Sequence, residues 1–192
     1  MSNLKRVGLV LAGLGMLMLG HFKPASAATT GDINVTVTVD VVSVSVASTT
    51  WAVGSVAPAT ISISSAIGVT NDGNRQEDYS LSLTYTPGWT ISTDQTAASN
   101  EFVMLGLFTT TPAASLADGS FGEGGTGDDV VVTGATSASA TAYARTAEGT
   151  TAKGFDVAAS GIRSLFLNFR APTANTISAQ QSMTVTVTAA AG

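Results

Sequence analysis

The chain has 192 residues, of which 44% are hydrophobic and only 11% charged, with 13 acidic and 8 basic side chains, one histidine and no cysteine. Charged residues usually make up about a quarter of a soluble chain; here Ser, Thr, Ala, Gly and Val take their place. Lack of cysteine excludes disulfides, thiol nucleophiles and cysteine-ligated metal or iron–sulfur centres.

Residues 1–27 read as a cleavable signal peptide. Lys5 and Arg6 precede an apolar run, Val7 to Gly20, too short to span a bilayer comfortably, and Ala25-Ser26-Ala27 supplies the small-x-small cleavage pattern. Cleavage there predicts one domain, residues 28–192, secreted or at the cell surface. His21 leaves with the leader, and so do Lys5, Arg6 and Lys23, leaving five basic against thirteen acidic side chains, a net charge of −8. Without histidine, Ser-His and Cys-His nucleophiles and the common zinc and copper sites lose an essential member. The remaining cations (Arg75, Arg145, Lys153, Arg163 and Arg170) are scattered, which argues against nucleic acid as a partner.

Period-two alternation then dominates. Residues 31–47 are a long N-terminal strand in which Ile33, Val35, Val37, Val39 and Val41 share one face. The phase flips at Val41-Val42, so that Val42, Val44 and Val46 become the apolar set. A slip of one residue moves side chains to the opposite face, so the flip predicts a bulge or a change of sheet. Residues 61–70 and 78–86, joined through Asn71-Asp72-Gly73-Asn74, read as a hairpin, with the Asp-Gly pair tolerating positive φ. Phe102 to Phe108 is continuously apolar, a strand buried on both faces. Residues 111–129 are a long Gly/Asp-rich loop, and Val130 to Thr133 is a short strand. Ala138, Ala140, Ala142 and Ala144 predict a small-residue strand face; Leu165, Leu167, Phe169 and then Met183, Val185, Val187 predict the last two strands. Eight to ten such strands make an all-β protein, a single immunoglobulin-like or jelly-roll antiparallel β-sandwich. Trp51 and Trp89 are expected in its core.

Few residues offer chemistry, and no catalytic, cofactor-binding or metal-binding residue is assigned. Glu77-Asp78 and Asp128-Asp129 are adjacent carboxylates that point to opposite faces on a strand, unlike a glycosidase pair. Lys153 has no serine at a dyad spacing and reads as a solvated turn lysine. The loop residues Asp118, Ser120, Glu123, Asp128 and Asp129 could offer oxygens to calcium, but their spacing does not follow an EF-hand. Asn34-Val35-Thr36 has the form of a glycosylation sequon.

In layout (leader, long N-terminal Val/Thr strand, Thr/Ser-rich sandwich, C-terminal strand) the chain resembles secreted β-sandwich subunits of extracellular fibres and pili assembled by donor-strand addition. The resemblance implies a non-enzymatic structural subunit that self-associates into a homopolymer, with the 31–47 strand completing a neighbour's sandwich. The competing expectations are that this strand closes its own sandwich, or that the protein is a carbohydrate- or surface-binding module, with calcium assisting, using Tyr85, Trp89, Phe121 and Tyr143.

Overall fold

The computed structural model describes residues 35–110, 115–123, 128–145 and 153–192. The predicted leader and Asn34 of the sequon lie outside them. Contacts divide the chain into two compact units, Met1–Thr38 and Val39–Gly192. In the first, residues 35–38 belong to no strand, and Val35 and Val37 are 76% and 81% exposed.

The second unit is an antiparallel β-sandwich. Its strands are β1 (Val44–Val46), β2 (Ile61–Ile63), β3 (Ile67–Asn71), β4 (Glu77–Tyr85), β5 (Thr90–Ile91), β6 (Glu101–Thr109), β7 (Thr136–Ser137), β8 (Ile162–Arg170) and β9 (Met183–Ala191). One sheet runs β1-β3-β8-β6-β5, with β2 also on β8; the other runs β7-β4-β9. All pairs are antiparallel except β5 with β6. β2 and β3 behave as one strand along β8, interrupted at Ser64. There the Ser64 N–H donates to Leu167 O and its hydroxyl oxygen accepts the Leu167 N–H, so the kink loses no ladder bonds.

The core lies between the sheets. Tyr79, Leu81 and Leu83 of β4 meet Phe102, Met104 and Phe108 of β6 and Leu165, Leu167 and Phe169 of β8. Each such side chain contributes roughly 2 kcal/mol through burial. Gly106 is what lets the sheets close at the centre of β6, since a Cβ there would lie 2.6 Å from Leu81 Cδ1. The alternate residues of β6, Val103, Leu105 and Leu107, form a second cluster with Phe166, Leu116, Phe121 and Val130 on the outer face of the same sheet. That is why Phe102 to Phe108 is apolar at every position.

The expected hairpin over 61–70 and 78–86 is not formed. β3 pairs with β1 and β8, whereas β4 pairs with β7 and β9, so the Asn71–Asn74 turn carries the chain from one sheet to the other. Asn71 is buried within it and donates to Arg75 O and Val157 O while accepting the Gly73 N–H. Gly73 is not among the residues of positive φ; its role is steric, because a Cβ there would meet Val41 O. The alanine ladder is also corrected. β7 stops at Ser137, the Ser139 hydroxyl caps the N–H groups of Thr141 and Ala142, and Tyr143 turns inward at φ 57°. Of the expected 130–133 strand, Val130 makes one bridge, to Leu105.

Candidate functional site

The expected 31–47 strand resolves into two parts at its phase flip. Of the second apolar set, Val44 and Val46 form β1 and pack half-buried against the core, while Val42 lies before the strand and is 41% exposed. The first set is displayed to solvent: Val35 76%, Val37 81%, Val39 71% and Val41 48% exposed. Residues 35–43 belong to no strand. Among the described residues these alternating valines are exposed, an arrangement that opposes the hydrophobic effect unless another surface covers them.

Residues 39–43 are held by the inter-sheet turn. The Val41 N–H donates to Asn74 Oδ1 (2.8 Å), Asn74 Nδ2 donates to Val39 O (2.7 Å), and the Asn74 N–H donates to Val41 O (3.1 Å). Ser43 O accepts from the Asp72 N–H, and the Ser43 N–H donates to Glu77 Oε1 (2.7 Å). Arg75 pairs with Asp40 at 2.8 Å, so the one charge of the exposed segment is neutralised locally. A Cβ on Gly73 would lie 2.3 Å from Val41 O and 2.4 Å from Glu77 Oε1. Glycine is therefore required by the close approach of this chain segment to the turn. Glu77 is fully buried at the base of the anchor, and its Oε2 has no hydrogen-bond partner among the described residues. Leaving a buried carboxylate oxygen unpaired costs stability, and the sandwich retains it where the segment is fastened.

The second component is β9. It has nine residues, MTVTVTAAA, without charge, proline or glycine, and among the described strands it pairs only with β4. The N–H groups of Glu77, Tyr79 and Leu83 in β4 donate away from β9, to Val157, Gly154 and Val132. The intervening residues Asp78, Ser80, Ser82 and Thr84 therefore serve β9, through Ala190, Thr188, Thr186 and Thr184. It follows that the N–H and C=O groups of Met183, Val185, Val187 and Ala189 line the outer edge. The side chains of these same residues are only half-buried against the core. β1, the outer strand of the other sheet on that side, approaches β9, and Val44, Val46, Trp51, Val53 and Val56 are likewise half-covered. Native edge strands are normally short or blunted by Lys, Pro or bulges; β9 has none of these protections.

The other candidates are engaged elsewhere. Asp118 Oδ1 accepts from Arg170 Nη2 (2.8 Å) and Asn168 Nδ2 (2.7 Å), pinning the loop that seals the outer face of the first sheet. Glu123 faces Arg145 at 3.6 Å. Asp129 is buried, accepting from Gly122 N–H and Ala144 N–H, and burial pushes its carboxyl up to about 6. Ser120 is buried. Among the described residues no group of three or more acidic or His/Cys side chains is placed to hold a metal. Glu77 and Asp78 point apart as expected: Asp78 accepts the Asp156 N–H while Glu77 faces Ser43. Lys153 is not solvated. It is buried, donates to Ala140 O and lies 6.0 Å from the Phe155 ring centre.

The aromatics expected on a ligand platform are packed. Phe121 and Tyr143 are buried, Tyr85 stands edge-on to Phe102, and Trp89 stacks on Phe169 with its Nε1 donating to Asn175 Oδ1. The two tryptophans sit at the margin of the core, half-buried. Sequence reasoning located the N-terminal segment but missed the open edge of β9, although the uncharged nine-residue Val/Thr/Ala run signalled it. Comparison of the chain with protein-family models, with curated proteins and with solved structures gives no match.

Proposed function

We propose that the chain is a non-enzymatic structural subunit of an extracellular fibre, pilus or surface layer, and that its N-terminal segment joins one copy to the next by β-strand addition. The observation that carries this reading is the row Val35, Val37, Val39 and Val41, exposed in the subunit at the period of a half-buried strand. A strand whose apolar face finds no cover in its own domain gains that cover, and ladder hydrogen bonds, from a second domain.

The test is the double substitution V35D/V37D in the full chain. Both positions are exposed, so the melting temperature should stay at the wild-type value. Negative-stain microscopy and size-exclusion chromatography should show fibres from the wild type and monomers from the variant. Wild-type protein that stays monomeric at all concentrations, or a variant that forms fibres as readily, overturns the reading.

A further inference from the structure

Resting on that reading, we infer that the acceptor for the N-terminal segment is the outer edge of β9 in a second copy of this chain. Three observations on independent parts of the molecule select this edge and this occupant.

The first is the hydrogen-bonding requirement. An added strand needs a row of unpaired N–H and C=O groups, and the register of β4 against β9 leaves such a row at Met183, Val185, Val187 and Ala189. The opposite edge of β4 is already occupied by β7, Val132, Gly154 and Val157. In the other sheet, the outer edge of β6 is met by β5 and by Asp129 to Val131. β9 is the long edge that remains among the described strands.

The second is facial complementarity. Residues opposite one another on paired strands point to the same side of the sheet. β9 turns Met183, Val185, Val187 and Ala189 toward the core and Thr184, Thr186 and Thr188 to solvent. The N-terminal segment carries the same binary pattern, with Val35, Val37 and Val39 alternating with Thr36 and Thr38. Laid beside β9, its valines extend the half-covered apolar face between β1 and β9, and its threonines extend the solvated face. A one-residue slip would reverse both faces, so register is specified by burial.

The third is charge. The chain is acidic, and repulsion would oppose a docking edge that carried acidic side chains. β9 carries none, and the single carboxylate of the exposed segment, Asp40, is paired with Arg75 of its own subunit. Neither β9 nor residues 35–43 bring an uncompensated side-chain charge to the joint.

Since the protein lacks cysteine, engineered thiols report the joint directly. T36C protein is mixed with T184C, T186C or T188C protein under mild oxidation, with S137C on the far edge of the same sheet as control. The expected result is a mixed disulfide that depends on having both variants, is strongest at one of the three β9 positions, and is at least ten-fold weaker with S137C. V187P removes one outward N–H while leaving the β4 partners Thr186 and Thr188 in place, and should slow assembly at least ten-fold. Fibres that form without a 36-to-β9 disulfide, or form at the wild-type rate with folded V187P, overturn the assignment of β9 while leaving strand addition standing. Should V187P fail to fold, the disulfide scan decides alone. A protein carrying both T36C and T186C that closes only on itself, giving no disulfide-linked ladder, shows the segment folding onto its own edge and likewise overturns the inference. Absence of any wild-type assembly overturns both this inference and the reading beneath it.

Discussion

Asp129 shows how a residue that looks like chemistry in the sequence serves the fold instead. Its carboxyl is fully buried and is pushed up to about 6, first by burial, against the opposing pull of N–H groups from Gly122, Ala144 and Tyr143, with Asp128 nearby pushing it further up. The protonated form is thus favoured by the native state. At pH below the ordinary carboxylate range both folded and unfolded chains carry the proton, and the contribution is fully present. As pH rises from about 4 to about 6 the unfolded chain ionises first, so stability falls, and it levels off once the native carboxyl has also ionised. A shift of this size corresponds to about 3 kcal/mol over that window. Thermal melts of wild type and D129N across pH 4 to 7.5 should show the wild-type advantage shrinking by several degrees as pH rises. A difference that stays flat would mean that Asp129 does not titrate there.

At the scale of elements, the turn between β3 and β4 does more than reverse the chain. Its Asn71 organises the crossing between sheets, while Gly73, Asn74 and Glu77 together receive residues 39–43. Gly73→Ala forces a methyl group into Val41 O and Glu77 Oε1, and backbone must move, since the nearer neighbour is not a flexible side chain. Overpacking of this kind costs about 1–3 kcal/mol. Hydrogen exchange should show lost protection at Val41 and Ser43, with β6 and β8 unchanged; unchanged exchange at Val41 would show that the turn does not hold the segment. The same turn marks how far the sequence could be read. Alternation located β4, β8 and β9 because one buried face imposes period two, and the unbroken run of β6 followed from burial on both faces. Turn residues, by contrast, show where a chain reverses but not whether the strands pair or enter different sheets, so an arch and a hairpin read alike in sequence. Alanines 138–144 alternate in sequence, yet Ser139 capping and the left-handed Tyr143 break the strand. The exposed valines were visible as a pattern, but a valine row facing a core and one facing water are written identically. The phase flip at Val41-Val42 was the one legible sign that the two differ.

At the scale of the whole molecule, the sandwich presents an exposed apolar segment and an uncharged open edge on a body that is otherwise strongly acidic. Residues 28–192 carry thirteen acidic and five basic side chains, a net charge of −8. The five cations are scattered and engaged within the subunit: Arg75 pairs with Asp40, Arg145 with Glu123 and Arg170 with Asp118, while Lys153 and Arg163 donate to backbone carbonyls. Approaching subunits therefore repel one another over a range set by the Debye length, about 30 Å at 0.01 M salt and about 3 Å at 1 M. The joint itself, built from valine, threonine, alanine and backbone hydrogen bonds, owes little to charge. Salt should accordingly change the rate of encounter far more than the strength of the joint. The elongation rate, followed by light scattering at fixed protein concentration, is expected to rise about ten-fold between about 0.02 M and about 0.5 M sodium chloride. Dissociation on dilution should change much less. Elongation that slows with salt would instead require opposite charges meeting at the joint, which an edge lacking any charge does not supply.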